Sequence, residues 1–384
     1  MSSSSPISSS HQLHIHLHLV HIDNPQSPPV VIPTATMSSS STQKAVAVTK
    51  VGQPVELITD RAVPEPGPHE VQLKVSIAGL NPVDYQIRDY GLFVSDLPAV
   101  IGFDVVGRVS KLGEGVTGIN VGDRVVSQAA SGPGNKHNAL QEYALAKEGF
   151  VGIIPDSVSD DEAATLPTTV VAGVVGIFAV LQIPAPWTDA AMDFDYSGTT
   201  LLVIGGGSHT GRHAVQLAAL AGIGKIVVVG GNETDLKAFG ATHVLDRYGG
   251  DEVVLQRIKD VVGDDLVYAL DTVNPPPGQV LALNALSSHK KGVLARLLPT
   301  GPVDESKVVG KKAGFEVKDV YGSSHANPEL GKAFWARLPG FLEAGKIKAS
   351  EYEVNQGLDA SFVNATLDAY RAGKKVVKPN IHII

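Results

Sequence analysis

Six residues, Gly206, Gly207, Ser208, His209, Thr210 and Gly211, lie in the break between a short apolar run, LLVI (201–204), and the helical stretch RHAVQLAAL. Glycines in such a break let the backbone turn tightly, approach a bulky anion and pack helix against strand. The new helix adds unpaired N–H groups and the positive end of its dipole. These residue types suit a dinucleotide pyrophosphate, with Ser208 where G-x-G-x-x-G has its middle glycine and with Ser208 and Thr210 as hydroxyl donors. His209 is placed to reach a phosphate, and the plainer reading of His209 and His213 is exposed first-turn residues. A turn that serves helix packing alone is the competing reading of the whole break.

The next strand, KIVVV, ends on Gly230, Gly231 and Asn232. A carboxylate there would accept from a ribose 2′-OH and repel a 2′-phosphate. This uncharged end, with Lys237 and Arg247 nearby, favours NADPH over NADH, and Glu233 pulls the other way. The chain has no cysteine, so disulfides, thiolate nucleophiles and Cys-based zinc sites are excluded.

These residues need a scaffold. The length of 384 residues suits two domains, and 43% apolar with 18% charged residues describes a soluble α/β chain. A net charge of −8 argues against a nucleic-acid surface. The longest apolar run (170–183) is broken by glycines and falls short of the ~20 residues of a membrane span, so it reads as a buried helix.

Residues 1–42 are rich in Ser, Pro and His and hold no Lys or Arg, which fits neither a secretory nor a mitochondrial leader. They read as a disordered tail of a cytoplasmic protein, with Met37 as a second possible start. His14, His16 and His18 as metal ligands are the competing reading. From 43 to 175, β-rich runs such as VQLKVSIAGL and VVGRVSKLG lie between Gly, Pro and Asp punctuation, followed by an apolar helix: a mostly antiparallel β domain. From 176 to 324 strands alternate with helices, which implies a doubly wound parallel sheet. Residues 325–384 carry one long amphipathic helix, NPELGKAFWARLPGFLEAGKI, and a strand-like KVVKPNIHII, and are expected to return to the first domain.

Several segments, AGLNPVDYQIR (78–88), IGFDVVGRV (101–109), GDRV (122–125), AATLPTT (163–169), the glycine turn and GATHVLD (240–246), occur in an order that resembles the medium-chain dehydrogenase/reductase superfamily. Within it the chain is most similar to the zinc-independent quinone oxidoreductases and fungal trans-acting enoyl reductases. The resemblance implies a GroES-like β domain, a Rossmann domain and a cleft where NAD(P)H meets a small-molecule substrate, with a polyketide synthase as partner.

Zinc-dependent members carry a Cys where this chain has Asn81 or its neighbours, and Gly-His-Glu where it has Gly102, Phe103 and Asp104. With Phe103 in place of the His, the expectation is no zinc. An acceptor that delocalises charge, an enone, enoyl group or quinone, then suits hydride transfer better than a simple alcohol. The resemblance places Asn81, Asp84 and Tyr90 on the nicotinamide side as catalytic candidates, with Tyr90 as the acid, and Asp271 near the cofactor ribose. For Asn81 and Asp84 the competing role is stabilising the turn, and for Tyr90 surface packing. The rival functions are a carbonyl reductase and a non-catalytic NADPH-binding protein, and the sequence assigns no oligomeric state.

Overall fold

The computed structural model describes residues 41–383. The tail and its three alternating histidines lie outside the described residues. Alternating apolar residues with Gly and Pro breaks give eight strands first: β1 (Thr42–Val48), β2 (Glu56–Ala62), β3 (Glu70–Gly79), β4 (Ala99–Val100), β5 (Asp104–Leu112), β6 (Arg124–Gln128), β7 (Tyr143–Lys147) and β8 (Val151–Ile153). Strand β3 pairs antiparallel with β5 and β7, and β5 with β6. After β3 the NPVD segment becomes a helix, α1 (Pro82–Tyr90), started by Pro82 at its first position and ended by Gly91 in the left-handed region.

Ser159 and Glu162 form a reciprocal cap on α2 (Asp160–Ala164). The apolar run then forms α3 (Pro167–Val174) and a π-helical turn over Val175–Val180. A separate six-stranded sheet is parallel throughout, with β9 (Thr200–Ile204), β10 (Lys225–Val229), β11 (His243–Leu245), β12 (Tyr268–Asp271), β13 (Gly292–Arg296) and β14 (Phe315–Asp319) in the order β11-β10-β9-β12-β13-β14. The order reverses between β9 and β12, where open α/β sheets bind ligands. The crossover helices are α4 (His209–Ala221), α5 (Glu233–Ala238), α6 (Asp251–Val262) and α7 (Pro276–Ala285). The strands bury Leu202, Val203, Val227 and Val228 on both faces, as a doubly covered sheet requires.

The long helix expected after residue 325 is two helices, α8 (Pro328–Trp335) and α9 (Leu338–Glu343). Pro339 has no N–H to bond back and its ring clashes with the preceding turn, so the helix restarts instead of continuing. The chain ends with β15 (Tyr352–Gln356), α10 (Ala360–Arg371) and β16 (Lys378–His382), and β16 pairs antiparallel with β3. This last strand adds Lys378 to the interior of the first sheet.

Candidate active site

The glycine turn sits at the carboxyl end of β9, at the reversal of strand order. Gly205 holds φ +91°, and a Cβ there would lie 2.6 Å from Thr272 Oγ1. A Cβ on Gly206 would meet Val228 Cγ1 at 2.2 Å, and one on Gly211 the Gly205 carbonyl at 2.2 Å. The chain is therefore bare where helix and strands approach. Ser208 caps α4 by accepting from the Gly211 N–H at 2.9 Å, and its hydroxyl meets Thr272 Oγ1 at 2.9 Å. Thr210 and His209 follow in the first turn, whose N–H groups have no acceptor inside the helix.

Strand β10 ends at Val229, Gly230 and Gly231 take positive φ, and Asn232 caps α5 by accepting from Asp235 N–H at 3.0 Å. Glu233 thus lies beyond the strand end, and its carboxylate pairs with Lys237 at 2.7 Å. The exposed Arg247 runs across Gly230 and stacks on Tyr248, 4.6 Å from the ring centroid. Asp271, buried at the end of β12, accepts from the N–H groups of Val273 (3.0 Å) and Asn274 (2.9 Å) and from the Asn274 amide. Its carboxylate fixes the turn, and burial raises its pKa.

A second cluster gathers four distant segments. Lys378, buried, donates to the carbonyl of Leu80 (3.1 Å), to Asn81 Oδ1 (2.8 Å) and to Asp104 Oδ2. Asn81 Nδ2 donates to the same Asp104 oxygen at 2.8 Å, and the Thr168 N–H and hydroxyl donate to Oδ1 at 2.7 and 2.6 Å. Asp84 accepts from the N–H groups of Asn81 (2.8 Å) and Gly102 (2.9 Å). Burial pushes its carboxyl up to about 7; the two N–H groups oppose this and the charge of Asp104 adds to it. Gly79 makes room, since a Cβ there would lie 3.0 Å from that of Asp104.

The two clusters meet at His209. Its Nδ1 is buried without a partner, and burial with the Lys378 ammonium nearby lowers its pKa to about 4. His213, one turn on, is buried against the Thr169 hydroxyl (2.9 Å) and the Lys348 carbonyl (3.2 Å), and burial brings it to about 3. It is a core residue, not an exposed first-turn histidine, because α3 packs on α4 there. Asn81 and Asp84 are both buried, whereas Tyr90 ends α1 with 73% of its surface exposed and does not join them. Phe93, three residues on, packs edge-on to Phe103 at 6.1 Å and lies 5.7 Å from Tyr321.

Sequence reasoning missed Gly205, Thr168, Lys378, Phe93 and Tyr321. A lysine between apolar residues in KVVKPNI was the one available sign, since an unpaired lysine is rarely buried.

Residues 67–171 match the alcohol dehydrogenase GroES-like domain family. The chain is 32% identical over 332 residues to the trans-enoyl reductase tndF of Aspergillus flavipes, covering 82% of this chain and 91% of the relative. It is 37% identical over 237 residues to the trans-enoyl reductase tazE of Aspergillus terreus, covering 58% and 74%. The crystal structure of CurK enoyl reductase superposes with a TM-score of 0.70 at 19% identity, over 90% of this chain and all of that one. The protein belongs to the medium-chain dehydrogenase/reductase superfamily, with fungal trans-enoyl reductases as its relatives, and is an oxidoreductase.

Proposed function

We propose that this oxidoreductase uses NADPH to reduce a carbon–carbon double bond conjugated to a carbonyl, or a quinone. The observation that carries the reading is the saturated cluster at Asp104. Its two oxygens already accept from Thr168 N–H, Thr168 hydroxyl, Asn81 amide and Lys378 ammonium, and the neighbouring Phe103 has no donor atom. This set does not fit a tetrahedral zinc with nitrogen and sulfur ligands. An acceptor that spreads its own charge therefore suits the site better than one that needs a metal to polarise it.

NADPH fits the glycine turn, and when bound it supplies the hydride. Gly206, Gly207 and Gly211 would admit its pyrophosphate to the start of α4, where Ser208, Thr210 and His209 stand. Gly231 and Asn232 leave the strand end uncharged, Arg247 would pair with a 2′-phosphate, and Lys237 holds Glu233 away from that role. Asn81, Asp84, Asp104 and Lys378 act as a rigid floor, and Asp271 shapes the turn beside β9. Tyr90 is the candidate proton donor, through a phenol that faces solvent in this structure. The relatives' names support an enoyl substrate, and the resemblance supports its delivery by a polyketide synthase.

The test is oxidation of NADPH in the presence of conjugated thioesters, quinones and simple aldehydes, with and without EDTA. Turnover of conjugated acceptors that EDTA does not touch is the expected result. Reduction of aldehydes alone would favour a carbonyl reductase, and NADPH binding without turnover a non-catalytic protein.

A further inference from the structure

Three aromatic rings from three segments pack in a row that starts at Phe103, the residue before Asp104. Phe103 precedes Asp104 on β5 and is 8% exposed. Phe93 lies edge-on to it, with centroids 6.1 Å apart and planes at 85°, and Tyr321 is tilted to Phe93 at 5.7 Å and 53°. Tyr321 follows β14 by two residues. Because β9, β12, β13 and β14 are parallel, it stands on the same carboxyl edge as the glycine turn, on the side of the reversal away from β10.

The backbone that carries both outer rings is constrained. Gln128 donates to the Gly322 carbonyl at 2.8 Å and accepts from Ser324 N–H at 2.9 Å, which holds the loop carrying Tyr321. Gly322 packs so closely on α3 that a Cβ would lie 2.9 Å from that of Ala172. Phe93 has φ +63°, a left-handed conformation that a bulky side chain adopts only where its surroundings impose it. Tyr321 keeps 48% of its surface exposed, so its ring remains open to a ligand.

We infer that Phe93 and Tyr321 are specificity-determining residues that select a planar, extended conjugated acyl chain over an equally long chain with a single double bond. The inference rests on the reductase reading for its place in the reaction. Its physical basis is separate: rings held in offset and edge-to-face arrangements favour a flat π-system beyond what apolar burial alone gives. Leucine at either position retains most of the apolar area and removes the ring.

The experiment measures binding of two N-acetylcysteamine thioesters, sorboyl with two conjugated double bonds and hexenoyl with one, to the full chain with NADP⁺ present. The variants are Phe93→Leu, Tyr321→Leu and the pair. Wild type is expected to bind the sorboyl ester roughly three- to tenfold more tightly, and the double variant to bind both alike. Equal affinities in wild type, no binding of either ester, or a preference that survives in a folded double variant would overturn the inference. A preference that vanishes as expected, in a protein that never oxidises NADPH with either ester, leaves the inference standing and defeats only the reductase reading.

Discussion

The glycine turn after β9 and the Asp104 cluster under the first sheet are neighbours built on opposite terms. The turn holds almost no charge and leaves backbone N–H groups without acceptors, which under the proposed function an anion from outside would complete. The cluster is dense in charge and complete by itself: Lys378, the Asn81 amide and Thr168 satisfy the Asp104 carboxylate, and the backbone N–H groups of Asn81 and Gly102 bond Asp84, away from water. A site that binds keeps its valences open, and a site that positions closes them. His209 lies between the two, with its Nδ1 buried and unpaired and the Lys378 ammonium near its ring.

The sharpest break of this contrast is Lys378→Met. It strands the Asp104 carboxylate without its cation, and loss of one partner of a buried pair costs about 3–5 kcal/mol. Urea unfolding should show that loss, and Asp104→Asn in the same chain should restore a large part of it. If Lys378→Met were neutral, the cluster would not be a closed unit.

The turn responds to crowding. Gly206→Ala puts a methyl group against Val228 and the Gly230 carbonyl, an overpacking of about 1–3 kcal/mol, and should weaken NADPH binding in titration calorimetry. Arg247→Ala is milder. The side chain is exposed, so its loss should leave stability within about 0.5 kcal/mol and raise the Kd for NADPH about tenfold while sparing NADH.

The last effect concerns pH. His213 is neutral in the fold, with its pKa at about 3 against 6.5 when unfolded, so the unfolded chain takes up its proton first and stability falls as pH drops below about 6.5. Asp84 works in reverse: with its carboxyl at about 7 against 3.8, the folded state holds a proton that the unfolded chain releases, and stability falls as pH rises from about 4 to about 7. Asp84→Asn should therefore steepen the rise of the urea midpoint between pH 4 and 7, and His213→Gln should flatten it.

The same contrast explains what could be read from the residues. The turn is local, and LLVI, the glycines and the capping Ser208 announce a strand, a break and a helix within a dozen positions. The cluster is not, for Lys378 and Asp104 are 274 residues apart and meet only because β16 returns beside β3. Asn81 and Asp84 were visible as an Asn-Pro-x-Asp unit, but their burial depends on β5 and β16. The resemblance pointed to Tyr90, whose phenol faces solvent at the end of α1, while nothing in the sequence singled out Phe93, which packs on Phe103 beyond Gly91. Apolar periodicity ran through Pro339 and joined α8 to α9, where backbone chemistry separates them.

The central claim is transfer of hydride to carbon in a conjugated acceptor. The direct measurement uses NADPH deuterated on the transferred face, a conjugated enoyl thioester, and mass spectrometry of the product. The account predicts a saturated thioester with one deuterium on the carbon β to the carbonyl. Deuterium on a carbinol carbon, or none in any product while NADPH binds, would contradict it.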